Sequence, residues 1–241
     1  MKTKQIILAA TLGLMIPLMS MGQTTLGPGV TGSSLTVAGL PHNFSTESWN
    51  PYVDIGHGAQ ICQPCHTPHN AQTGVWPTAP LWNHQLSSGP YTLYSSIKTS
   101  AGTMGVTAPD GTSQLCLSCH DGSIALGAFG GQNFGGTMAA YNGGLASFGT
   151  DLSNDHPISV DYNACRTVYN AGGLRNETTY QYSTYDYTTT TWTTTTKYTS
   201  SLLKSGKVQC TSCHGAHSNS RGYQLSMINT GSQLCLACHS K

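Results

Sequence analysis

Charge is scarce in this chain of 241 residues: Asp, Glu, Lys and Arg together make up 8%, with Lys+Arg 10 against Asp+Glu 9. Nucleic-acid binding needs a surplus of cations to neutralise phosphates, and no such surplus exists. The Ser, His and Asp residues are scattered, with no nucleophile elbow and no H-E-x-x-H segment, so the common hydrolase and metalloprotease signatures are missing. Phe and Trp number four each, whereas Gly numbers 28 and Pro 11. That balance predicts a loop-rich, helix-poor body in which ordinary side-chain packing does not carry the fold alone.

Long apolar runs are also missing, except at the start. Lys2 and Lys4 precede a run from Ile6 to Met19, which ends in Ser20-Met21-Gly22. A basic start, a short apolar stretch and small residues before a cut describe a secretory signal peptide over 1–22. The run is too short for a good membrane anchor. The expectation is an exported domain spanning 23–241, extracellular or periplasmic, with no membrane span after cleavage.

Cysteine, by contrast, is concentrated. Eight of the nine Cys fall into four copies of one pattern: Cys62-x-x-Cys65-His66, Cys116-x-x-Cys119-His120, Cys210-x-x-Cys213-His214 and Cys235-x-x-Cys238-His239. C-x-x-C-H is the attachment signature of c-type haem. Two thiols three positions apart on one helical turn can form thioethers to the vinyl groups on one porphyrin edge. The adjacent His then reaches the iron as proximal ligand. Structural zinc and disulfide frameworks use paired Cys but do not require His next in every copy. Four covalently bound haem c groups are therefore expected. Cys165 stands outside the pattern, as a buried inert thiol or as a partner for an intermolecular bond.

The motifs are themselves duplicated. His66-Thr-Pro-His69 and His214-Gly-Ala-His217 each extend a motif to C-x-x-C-H-x-x-H, and each is followed by a plain motif with the lead-in Ser-Gln-Leu-Cys. This gives a haem-pair module over 42–120, a Gly-rich and Thr/Tyr-rich insert over 121–206, and a second module over 207–241. The chain resembles multihaem c-type cytochromes with doubled C-x-x-C-H motifs, including extracellular tetrahaem cytochromes that polymerise into conductive filaments. The resemblance is carried by Ile61–Asn70, Pro80–His84, Tyr91–Ser96, Leu115–Gly122, Asp155–Ile158 and Val208–His217. It implies a multihaem architecture in which haems replace a protein core and stack closely in pairs.

Ten His leave six outside the motif positions. Residues three apart on a helix share a face, so His69 and His217 are expected to serve irons other than those of His66 and His214. The expectation is that His69 caps the haem on Cys116/Cys119, and His217 the haem on Cys235/Cys238. His156 precedes Pro157 and is held out of helix, in a ligand-presenting loop. The resemblance also implies ligand roles for His42 and His84. Five candidates then exceed the four places in a lone subunit, so one of them serves a neighbouring subunit's haem or is no ligand. His57, between two glycines, is the weakest candidate.

Short helices are expected around 58–69, 111–120, 207–217 and 231–239, with an exposed β-hairpin over 178–200, where Thr and Tyr favour strand. The Gly-rich 121–150 stretch reads as a mobile loop or as a loop fitted over a porphyrin face. Enough His to fill both axial positions of each iron argues for an electron carrier rather than an enzyme with an open haem. Its partners would be redox proteins, extracellular electron acceptors or further copies of itself. The readings left open are a filament-forming cytochrome, a monomeric periplasmic shuttle or donor subunit of a reductase, and, third, a multihaem enzyme. Loss of the haems should unfold the chain.

Overall fold

The computed structural model describes residues 41–44, 61–72, 81–95, 104–140, 146–168, 173–176, 179–186, 189–219 and 221–240. The apolar start and His57 lie outside the described residues, within which no helix is long and apolar enough to cross a membrane.

Regular elements are short. They comprise helices α1 (Gly111–His120), α2 (Tyr162–Val168), α3 (Cys210–Cys213) and α4 (Gln233–Leu236), and strands β1 (Ala125–Gly127), β2 (Phe134–Thr137), β3 (Val160–Asp161), β4 (Thr179–Asp186), β5 (Thr191–Tyr198) and β6 (Lys207–Val208). The strands form three antiparallel pairs: β1 with β2, β3 with β6, and β4 with β5. Several of the links between elements carry Gly, such as Gly130 and Gly131 between β1 and β2, which does not favour regular hydrogen-bond ladders.

The Thr/Tyr-rich segment is the longest hairpin, with Thr179 opposite Tyr198 and Asp186 opposite Thr191. β-branched Thr suits a pleated backbone. Thr193 and Thr194 are both exposed, and successive strand residues point to opposite faces. Both faces of the hairpin are thus open to water there.

Among the described residues 61–72, the first motif makes a single turn, in which the His66 amide donates to the Cys62 carbonyl at 2.8 Å. Sequence reasoning expected helix over 58–69. Pro68 accounts for its end, because the residue before a proline is driven out of helical geometry. At the third motif, His214 is likewise extended, with φ −118° and ψ 146°. The helical argument for His69 and His217 therefore does not describe these segments, whose second His lies beyond the helical turn. Helix α2 and the β1–β2 pair were not foreseen.

Among the described residues the apolar interior divides into three small clusters. Met104, Val106, Val160 and Cys165 form one, Leu202, Met227, Leu234 and Ala237 a second, and Leu126 with Phe129 a third. Cys119 packs against the third cluster, and Cys213 and Cys238 against the second. Attachment cysteines therefore border the apolar patches.

Candidate metal centres

Each of the four C-x-x-C-H segments makes one helical turn. The motif His amide donates to the carbonyl of the first Cys at 2.8 Å in the first motif, 2.9 Å in the third and 2.8 Å in the fourth. The second motif closes α1, where the Asp121 amide bonds Leu117 at 3.0 Å and Gly122, at φ +73°, turns the chain away. A Cβ on Gly122 would come within 2.6 Å of Ser147 Oγ and 3.1 Å of Ala139 Cβ. Glycine is needed there both for the left-handed cap and for the close approach.

The second and third motifs are pinned together by their helix starts. Gln209 Oε1 accepts from the Ser113 amide at 2.9 Å in α1, and Ser113 Oγ accepts from the Cys210 amide at 3.0 Å in α3. Thr112 and Thr211 hydroxyls meet at 2.5 Å. Each helix thus caps the other's otherwise unpaired N–H groups. The Asp110 carboxylate adds an ion pair with Lys207 and accepts from Gln209 Nε2 at 2.8 Å.

The attachment thiols follow one another through the molecule. Cys65 is near enough to raise the pKa of both Cys116 and Cys119, and Cys116 shares a hydrogen bond with Cys210. Cys213 in turn feels Cys235, and Cys238 feels both. Burial pushes the Cys65 thiol up to about 12 and the Cys238 thiol up to about 11. The bond with Cys116 holds Cys210 down at about 7. Cys165 is buried beside Met104, its thiol 3.0 Å from the thioether, and burial raises it to about 11.

Three motif imidazoles each face a non-motif imidazole. His66 and His217 have ring centroids 6.0 Å apart at 35°, His120 and His42 6.1 Å at 50°, and His239 and His156 6.3 Å at 86°. Two imidazoles on opposite sides of one metal, each bound at about 2 Å through nitrogen, leave ring centres about 6 Å apart. Rotation about the nitrogen–metal axis leaves the interplanar angle free. The ring separations in all three places match those of two axial imidazoles on one metal.

Backbone carbonyls select the tautomer. Nδ1 of His120 donates to Ala146 O at 2.8 Å, that of His156 to Pro157 O at 3.0 Å and that of His214 to Tyr223 O at 3.1 Å, while Nδ1 of His42 lies 3.0 Å from Ala216 O and 3.2 Å from Gln224 Nε2. A proton fixed on Nδ1 leaves the Nε2 lone pair for a metal, the usual outer support of a ligating imidazole. Burial lowers the pKa of His42 against the opposing pull of its Ala216 bond, which favours the neutral, ligand-competent ring.

His84 is built differently. It is 1% exposed, and its Nδ1 lies 2.9 Å from Gln85 O while its Nε2 lies 3.2 Å from Leu126 O. Cys119 Sγ is 3.4 Å from the same Nε2. Both ring nitrogens are directed at the protein. His69 is exposed, and its ring faces no other imidazole among the described residues. His217 lies against His66, and His156 occupies the place beside His239 that sequence reasoning gave to His217.

The family model described as the doubled CXXCH motif matches residues 202–241, which hold the third and fourth motifs. The match supports a c-type cytochrome of the multihaem kind, a haem-binding electron-transfer protein. The CXXCH motifs indicate haem c bound covalently through their cysteines. No curated protein matches the chain. The carbonyls of Ala146, Ala216, Pro157 and Tyr223 complete the site, and nothing in the sequence marks them, because any residue type supplies a main-chain oxygen.

Proposed function

We propose that this chain is an exported tetrahaem c-type cytochrome that passes electrons between closely spaced, six-coordinate bis-imidazole haems. The observation that carries the reading is the set of three imidazole pairs at 6.0, 6.1 and 6.3 Å, each joining a motif His to a His from elsewhere in the chain. Cys62/Cys65, Cys116/Cys119, Cys210/Cys213 and Cys235/Cys238 would anchor the groups. His66, His120, His214 and His239 would be the proximal ligands, with His217, His42 and His156 opposite the first, second and fourth. Haem c supplies a one-electron couple, and two imidazoles tune it to a lower potential than a His/Met pair.

The protein's own work is positional. Nδ1–H bonds to carbonyls hold the rings, the α1–α3 junction fixes the second and third anchors together, and the sequence of thiols sets adjacent groups side by side. At the three haems where both axial places would be filled there is no open position for a substrate, which favours a carrier over an enzyme there. His84, with both nitrogens turned to the backbone, supports the fold rather than an iron.

For assembly, the extracellular filament is supported by sparse charge, which weakens repulsion between copies. The β4–β5 hairpin adds two outer edges available for pairing. A monomeric shuttle is supported by the closure of three imidazole pairs within a single chain. EPR of the oxidised protein tests the core reading: low-spin ferric signals alone are expected, and a stable high-spin haem that binds cyanide would contradict it. Electron microscopy of the secreted material decides the assembly, with filaments expected for the first reading and dispersed particles for the second.

A further inference from the structure

The first and third motifs share more than spacing. At the first, the Thr67 amide donates to Leu81 O at 2.9 Å, the Asn83 amide donates to Cys65 O at 3.1 Å, and His66 bridges Trp82 in antiparallel fashion. At the third, the Gly215 amide donates to Gln224 O at 2.6 Å, the Ser226 amide donates to Cys213 O at 2.8 Å, and His214 bridges Leu225 in the same sense. Position for position, the two segments make one set of main-chain bonds. They are a structural repeat, not only a sequence repeat.

These equivalent segments meet through non-equivalent positions: His66 of one faces His217 of the other, at 6.0 Å between ring centroids. When two like units touch through unlike positions, a two-fold relation between them repeats the contact with the roles exchanged. The exchanged contact would join His214 to His69, a pair that is not among the ring contacts of the described residues. Four imidazoles stand outside the three pairs: His57 lies outside the described residues, both nitrogens of His84 meet main-chain carbonyls, and His69 and His214 remain, the latter with its Nδ1 on Tyr223 O at 3.1 Å.

We propose that the two H-x-x-H segments swap distal ligands, His217 capping the iron held by His66 and His69 capping the iron held by His214. The first and third haems are then the reciprocally ligated pair, across the two modules, while the second and fourth take His42 and His156. All eight axial positions are filled from one chain. The inference rests on the bis-imidazole reading above and adds which imidazole serves which iron.

The test is a count of unaltered bis-imidazole haems by EPR spin quantitation in the full, dispersed holoprotein. Wild type retains four. His217→Met converts one haem to His/Met ligation; adding His66→Met alters no further haem, and adding His239→Met alters a second. His69→Met likewise alters one haem, and adding His214→Met none beyond it. An additive loss for the His66/His217 or His69/His214 pair overturns the exchange, as does a silent His69→Met. Because changes at motif His can block haem attachment, a second background lacks the first haem through Cys62→Ser and Cys65→Ser. There His217→Met must leave the remaining three haems unchanged, and an altered haem overturns the assignment. Failure of the underlying reading looks different: wild type itself then carries high-spin haem, or none.

Discussion

His42 and His120 stand with ring centroids 6.1 Å apart, each with Nδ1 beside a main-chain carbonyl, Ala216 in one case and Ala146 in the other. The segment before the first motif is thus brought onto the second motif's His, with both Nε2 atoms left to serve a metal.

Removal of one member exposes one iron. His42→Ala is expected to convert one of four haems to a high-spin form that binds cyanide, with the other three unchanged and exogenous imidazole restoring the low-spin spectrum. The change should occur in dispersed protein, since the pair closes within one chain. A variant that keeps four low-spin haems in that state would show that His42 serves no iron.

His84→Ala tests the opposite role. Both of its nitrogens face backbone carbonyls at full burial, so truncation leaves buried polar groups without partners, at a cost of about 1–3 kcal/mol. The expected result is a lower melting temperature with all four haems still low-spin. Appearance of a high-spin haem without loss of stability would make His84 a ligand.

The junction between the second and third motifs should soften in acid. Burial acts to raise the Asp110 pKa, but the bonds from Lys207, Gln209 and Ser159, with the Lys207 charge, together hold it below its ordinary 3.8. A depressed carboxylate stabilises the fold above that ordinary value, and the contribution disappears as pH falls through the folded value. Wild type should therefore lose melting temperature on going below pH 3.8, and Asp110→Asn should lose less over the same range. Equal acid slopes for the two proteins would show that the ion pair contributes nothing.

Much of the candidate site was legible because its chemistry resides in side chains at fixed spacing. The four C-x-x-C-H segments point to their own candidate anchors and proximal ligands, and a Thr-rich run with alternating Tyr declares strand. The pairing of the distal ligands was not legible. His217 lies against His66 through a contact between positions 151 residues apart, and its helical spacing from His214 suggested a different partner. For His84 the sequence suggested a ligand from its surroundings but did not reveal the two carbonyls, Gln85 and Leu126, that its ring nitrogens meet. The cross-capping of α1 and α3 by Ser113 and Gln209 was equally invisible, since either residue alone reads as ordinary polar surface.

The account depends most on how many porphyrins the chain carries. Intact mass spectrometry of the purified, exported protein measures this directly under denaturing conditions, where only covalent groups remain attached. The predicted result is the mass of residues 23–241 plus four haem c increments, reduced by one increment for each Cys pair changed to Ser. A mass equal to the polypeptide alone, or one that does not change when a motif is removed, would contradict it.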